Sequence, residues 1–210
     1  MTSTGNDIVS LQKIDKERTA QYRFYSKILV PAERDLFDHA PLAIPFENYV
    51  WLLWSVKESA YKYFQRLESE LLFSPLKFVV SEINIQQEKE DSTNTIFTGR
   101  VIFDNHTLYF LSDYNEVRIH TIVHHENNFD KIRSGITEIQ SEKYADQSAA
   151  AKELLKQDLE KYFTGKILIE KSEAGYPEVF CDGKKMDMAV SLSHDGFWVG
   201  WVVVGLKPNS

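Results

Sequence analysis

The sequence predicts an α+β fold, with an antiparallel sheet packed on a long helix. Three observations carry this. Phe46–Leu72 reads as one helix, with Val50, Leu53, Trp54, Ala60, Tyr61 and Phe64 on an apolar face and no interior proline or glycine. After Pro75 the pattern turns to short alternating or apolar runs between turn residues. A further helix and more strands close the chain, and helices followed by strands without regular alternation is the α+β order.

Taken from the N-terminus, "DIVSL" (Asp7–Leu11) predicts a short strand after Gly5. "KERTAQYRFYSKIL" (Lys16–Leu29) predicts a helix, with Tyr22, Tyr25 and Leu29 on one face and Arg18, Arg23 and Lys27 on the other. Pro31 opens a second helix, "PAERDLFDH", since proline suits a first turn. A turn with Pro41 and Pro45 leads into the long helix. "KFVVSEINI", "TIFTGRVIF", "TLYFLSD" and "EVRIHTIVHH" predict an antiparallel meander across Lys77–His125, with "QQEKEDSTN" as its charged loop. Ser148–Phe163 predicts a helix, with Ser148 as its cap and Gly165 beyond its end. "KILIEKS", "PEVFCDG", "AVSLSHDG" and "FWVGWVVVGL" finish the chain as strands.

The totals bound the function. The chain has 210 residues, 43% of them hydrophobic, enough for a folded core in a single domain spanning 1–210. A net charge of -7 provides no global field for nucleic acid. One cysteine, Cys181, excludes an intrachain disulfide framework and a cysteine-rich zinc site. "MTSTGNDIVSLQK" has neither the basic start nor the apolar stretch of a signal peptide, and no run is long enough to span a membrane. The expectation is a cytoplasmic protein.

Three short stretches could carry chemistry. In "WSVKESAYK" (Trp54–Lys62), Glu58 and Lys62 lie one helical turn apart in the order that favours an ion pair. Lys57 points about 100° away from Glu58. That is an ordinary solvated face, or a face that holds an anion. "GND" (Gly5–Asp7) is a turn into a strand, and Asp7 gains chemical meaning only beside a second carboxylate. Magnesium takes one or two protein carboxylates together with substrate phosphates, which Asp7 and Glu58 could provide. "SLSHDG" (Ser191–Gly196) ends a strand with His194, a turn residue or a phosphate donor at a rim, and lacks the glycines of a nucleophile elbow. His124 and His125 are adjacent on a strand, so they point to opposite faces and do not chelate together.

"GND", "WSVKESAYK" and "SLSH" in this order, with "AGYPEVF" before the last, resemble the 4'-phosphopantetheinyl transferases. "RFYSKILVPAERDLF" is similar to the small holo-acyl-carrier-protein synthase type, and "LWSVKES" to the larger type. The resemblance covers Gly5–Phe73 and Lys166–Leu206, and residues from about 77 to 150 read as an inserted β-rich segment. It implies that fold and a Mg²⁺-dependent transfer of the 4'-phosphopantetheine arm of coenzyme A to a serine of an acyl or peptidyl carrier protein, releasing 3',5'-adenosine bisphosphate. Asp7 and Glu58 would hold the metal. Lys57 and Lys62 would bind phosphate oxygens, and His194 with Ser193 another phosphate of coenzyme A. Glu58 or a metal-bound water would accept the serine proton. Arg18, Arg23 and Lys27 form a basic face suited to an acidic carrier.

Leu53 stands before Trp54 where the short type has an arginine, so that contact is missing or supplied elsewhere. Each motif occurs once, which predicts no pseudo-dimer. It predicts instead a homotrimer in which His194 reaches a neighbour's Asp7 and Glu58. Two rival readings share the fold or the chain: a non-catalytic coenzyme A or carrier-binding protein, and an assembly protein using the meander as its interface.

Overall fold

In a computed structural model, residues 3–39, 42–86 and 94–206 are described. Pro41 and most of the charged "QQEKEDSTN" loop, residues 87–93, lie outside them.

Strand β1 (Gly5–Ser10) is buried along its whole length. The helix expected over Lys16–Leu29 is two short helices, α1 (Lys16–Thr19) and α2 (Tyr22–Tyr25), separated by an extended Gln21. Asp15 caps α1 by accepting from the Arg18 amide. The break lets the Thr19 hydroxyl accept from Trp51 Nε1 while Phe24 packs beside the same indole. Arg18, Arg23 and Lys27 are exposed, but they no longer share one helical face.

Helix α3 (Pro31–His39) matches its expectation, and α4 (Phe46–Gln65) ends seven residues before Leu72. Strands β2 (Phe78–Gln86), β3 (Thr95–Phe103), β4 (His106–Tyr114) and β5 (Arg118–His124) form the antiparallel meander. Its last strand pairs with β1, Asp7 opposite Thr121, giving the order β1-β5-β4-β3-β2. Leu52, Leu53, Val56 and Ala60 of α4 pack into one apolar cluster with Val9, Ile119, Val123 and Phe78. Each such buried aliphatic side chain contributes about 1.5–3 kcal/mol.

The second half repeats this plan. Strand β6 (Arg133–Glu138) leads into α5 (Tyr144–Leu159), which starts four residues before Ser148 and is capped by Lys143 without a side-chain bond. Strands β7 (Ile167–Lys171), β8 (Pro177–Cys181) and β9 (Lys184–Lys185) form a small sheet. Strand β10 (Ala189–Asp195) then pairs with β11 (Trp198–Val204), and β11 returns to pair with β6. Leu155, Leu159 and Phe163 pack on Val190, Trp201 and Val203 in a second core.

Each half is therefore a lead strand, a long helix, a meander and a last strand that pairs back on the first. The two halves share this order of elements but not their sheets, since the first forms one five-stranded sheet and the second two three-stranded ones. Residues 77–150 divide between the two halves. Strands β2–β5 complete the sheet begun by β1, whereas β6 and the start of α5 belong to the second half. The halves meet along β1 and β10, where the Asn6 amide donates to Ser191 Oγ at 3.1 Å and Asn6 Nδ2 donates to Ser193 Oγ at 2.8 Å. Among the described residues, no helix is long and apolar enough to cross a membrane.

Candidate active site

The site starts from a close approach. A Cβ at Gly5 would lie 1.9 Å from the Ser59 carbonyl oxygen, so only glycine lets β1 run this near to α4. Two residues on, Asp7 then faces the turn of α4 that carries Glu58 and Lys62. Lys62 Nζ donates to Asp7 Oδ1 at 3.1 Å and to the Asn6 carbonyl at 3.0 Å, and lies 3.3 Å from Glu58 Oε1. One ammonium thus holds two carboxylates from distant parts of the chain.

The electrostatics follow from burial. Desolvation raises the Asp7 carboxyl to about 7; Lys62 pulls it down and Glu58 pushes it up. Burial acts to lower Lys62, but Asp7 and Glu58 outweigh it and hold the ammonium above its ordinary value. Asp7 Oδ2 is buried and makes no hydrogen bond at full length, although the buried Ser55 hydroxyl lies close enough to pull the carboxyl down a little further.

Across a cleft of about 460 Å³ stands His194, with Asp7, Glu58 and Asp195 on the same lining and Trp51 and Trp54 among its apolar walls. Burial, then the Lys62 charge, lowers the imidazole below its ordinary value, so it is neutral near pH 7. Tyr144 packs edge-on against it at 4.9 Å between ring centroids. A smaller pocket of about 140 Å³ on its other side is lined by Tyr144, Lys152, Lys171, Gly175 and Pro177.

The structure therefore brings Asp7, Glu58, Lys62 and His194 together within one chain, and no neighbour's carboxylates are needed to meet His194. Two expected residues lie elsewhere. Lys57 is fully buried; its Nζ donates to the Ile28 carbonyl at 2.6 Å and to Glu33 Oε2 at 2.7 Å. Glu33 is equally buried and also accepts from the Val30 and Val80 amides. Lys57 is thus a core cross-link rather than a phosphate ligand. Ser193 is buried too, its hydroxyl taken by Asn6 inside the contact between the halves rather than facing the cleft.

Sequence reasoning did not single out Arg66, Lys152, Lys171 or Asp195, which the fold places along the cleft and the two pockets beside it. Arg66 had a signal, standing four residues after Lys62 and eight after Glu58 on the same helical face. Asp195 accepts from the Ser10 amide at 2.8 Å, a contact 185 residues apart in sequence that leaves no local trace.

Magnesium suits this donor set. The carboxylates of Asp7 and Glu58 converge, one buried oxygen of Asp7 makes no hydrogen bond at full length, and two carboxylates leave the remaining positions to phosphate and water. Among the described residues no group of three or more His, Cys, Asp or Glu side chains forms a dedicated metal cage.

Paired carboxylates beside a cation, with a neutral histidine across a cleft, equip a protein to handle phosphate esters. The chain belongs to the 4'-phosphopantetheinyl transferase superfamily, whose family model matches residues 3–123, more than half of its length. It is a transferase, and the chemistry of its superfamily is phosphopantetheinyl transfer. The match takes in Asp7, Glu58, Lys62 and the meander up to Val123, and ends before the Gly175–Pro177 turn and His194. Comparison with curated proteins returns no match.

Proposed function

We propose that the chain transfers the 4'-phosphopantetheine arm of coenzyme A to a serine of an apo acyl or peptidyl carrier protein, as a holo-acyl-carrier-protein synthase does. The observation that carries this is the meeting of Asp7, Glu58 and His194 at one cleft of a single chain, with the Lys62 ammonium bridging the two carboxylates. In the reaction the serine Oγ bonds to the β-phosphorus as the bond to the bridging pyrophosphate oxygen breaks, the serine proton passes to Glu58 or to a water beside it, and 3',5'-adenosine bisphosphate leaves.

Asp7 and Glu58 would hold Mg²⁺, whose charge offsets that of the pyrophosphate. Lys62, freed from the two carboxylates, would turn its ammonium to a phosphate oxygen. His194, neutral, would donate one hydrogen bond to phosphate from whichever ring nitrogen carries the proton. Lys152 and Lys171 add positive charge beyond His194, where the nucleotide end would lie. Arg18 at the cleft rim, with the exposed Arg23 and Lys27 beyond it, would meet an acidic carrier.

The test is incubation with coenzyme A, Mg²⁺ and apo-carriers of fatty acid, polyketide and peptide synthesis, followed by mass spectrometry. One carrier should gain the mass of one phosphopantetheine, and Glu58→Gln should cut the rate by about 10²–10³-fold. Binding of coenzyme A with no transfer to any carrier would return the protein to the non-catalytic reading.

A further inference from the structure

Glu58, Lys62 and Arg66 follow one another at single-turn spacing along α4. The first two serve the carboxylate cluster. Arg66, the residue that ends the helix, reaches instead into the second half of the molecule. Its Nη2 donates to the Pro177 carbonyl at 3.1 Å and to the Val190 carbonyl at 2.5 Å. Its guanidinium also lies over the Tyr176 ring, 4.3 Å from the centroid.

These contacts fix the Gly175–Pro177 stretch where the hairpin turn enters β8; Gly175 closes that turn onto the Ser172 carbonyl with φ +86°, a conformation that favours glycine. They also tie that turn to the start of β10, the strand that carries His194. The turn, Arg66, Lys62 and Leu192 enclose a pocket of about 110 Å³. Gly175, Pro177 and Leu192 line the adjoining pocket beside His194 as well. A tyrosine ring, a proline and a leucine next to Lys62 and Lys171 suit a flat heteroaromatic ring attached to phosphates.

We propose that Arg66 is a positioning residue for the nucleotide end of coenzyme A: it sets the Gly175–Pro177 turn that receives the adenosine, without touching the reacting atoms. The inference rests on the functional reading above. An arginine suits the place because one terminal nitrogen reaches two carbonyls while the flat face of the same group covers a ring; a lysine keeps the charge and loses that face.

The experiment is calorimetric titration of wild type, Arg66→Lys and Tyr176→Leu with coenzyme A, 3',5'-adenosine bisphosphate and 4'-phosphopantetheine, alongside steady-state transfer. Both variants should bind coenzyme A and the bisphosphate about tenfold more weakly. Their affinity for 4'-phosphopantetheine should be unchanged. The KM for coenzyme A should rise about tenfold, with kcat at saturation within about twofold and the carrier KM unmoved. Equal affinities in wild type and a folded variant, or an equal loss for all three ligands, overturns the inference while the functional reading stands. Tyr176→Leu leaves the hydrogen bonds of Arg66 in place and tests the ring as a wall of the adenosine site; if Arg66→Lys does not fold, Arg66→Gln, which keeps an N–H donor, decides the matter by the same readouts. A wild type that binds no coenzyme A overturns both.

Discussion

At the scale of single residues, the contact between the halves depends on groups that carry no charge. Asn6 Nδ2 lies 3.1 Å from His120 Nε2 as well as bonding Ser193, and all three side chains are buried. Burial first, then the charges of Arg118 and Lys62, lowers His120 to about 3. An unfolded histidine takes its proton near pH 6.5. Between pH 6.5 and 3 the unfolded chain therefore binds one more proton than the folded one, and stability falls as the pH falls. From neutral pH to pH 5 the loss from this group is about 2 kcal/mol. The buried Asp7 carboxyl, raised to about 7, works in the opposite direction over the same range, so the His120 part is read as a difference: in urea unfolding at pH 7, 6 and 5, wild type should lose about that much relative to His120→Gln, which cannot titrate. Parallel pH dependences in the two proteins would mean that His120 is already protonated in the fold.

At the scale of elements, α4 serves two purposes on two faces. The Glu58–Lys62–Arg66 face builds the site, and the Lys57 face locks α4 to α3 and to edge strand β2 through Glu33. Burial pushes Lys57 below its ordinary value and Glu33 above it, and the attraction between them opposes both shifts. Removing one partner of such a pair strands the other in the core. Lys57→Ala should cost about 3–5 kcal/mol in urea unfolding. Lys57→Met combined with Glu33→Gln should recover part of it, since glutamine still accepts from a backbone amide. The double variant should transfer at close to the wild-type rate per folded molecule, an outcome that a phosphate-binding Lys57 does not allow.

The same helix shows how much of the fold was legible. Its apolar spacing gave its existence and start, and the Glu58–Lys62 pair is present as an i,i+4 contact. Periodicity also gives the direction of Lys57, but not what lies there. Glu33 and the Ile28 carbonyl arrive from elements whose packing is tertiary. Strand β6 escaped for a related reason. Gly135 interrupts its pattern because a Cβ there would lie 2.7 Å from the Trp201 ring, a contact made from 66 residues away.

At the scale of the whole molecule, each half supplies part of the candidate site. The first carries Asp7, Glu58 and Lys62, the second His194 and the Gly175–Pro177 turn, and the contact of β1 with β10 closes the site within one chain. This can be separated from a site shared between subunits. Glu58→Ala and His194→Ala are each expected to be inactive, and the two can be unfolded together and refolded as a mixture. In a ring whose sites take carboxylates from one subunit and histidine from the next, random assembly would rebuild intact sites at about a quarter of the interfaces. In a self-contained chain each molecule keeps its own lesion, so mixing restores no activity at any protein concentration. The expected result is the absence of rescue, with wild-type activity per chain constant on dilution. Recovery of about a quarter of the wild-type rate would show instead that β10 meets the β1 of a neighbouring chain.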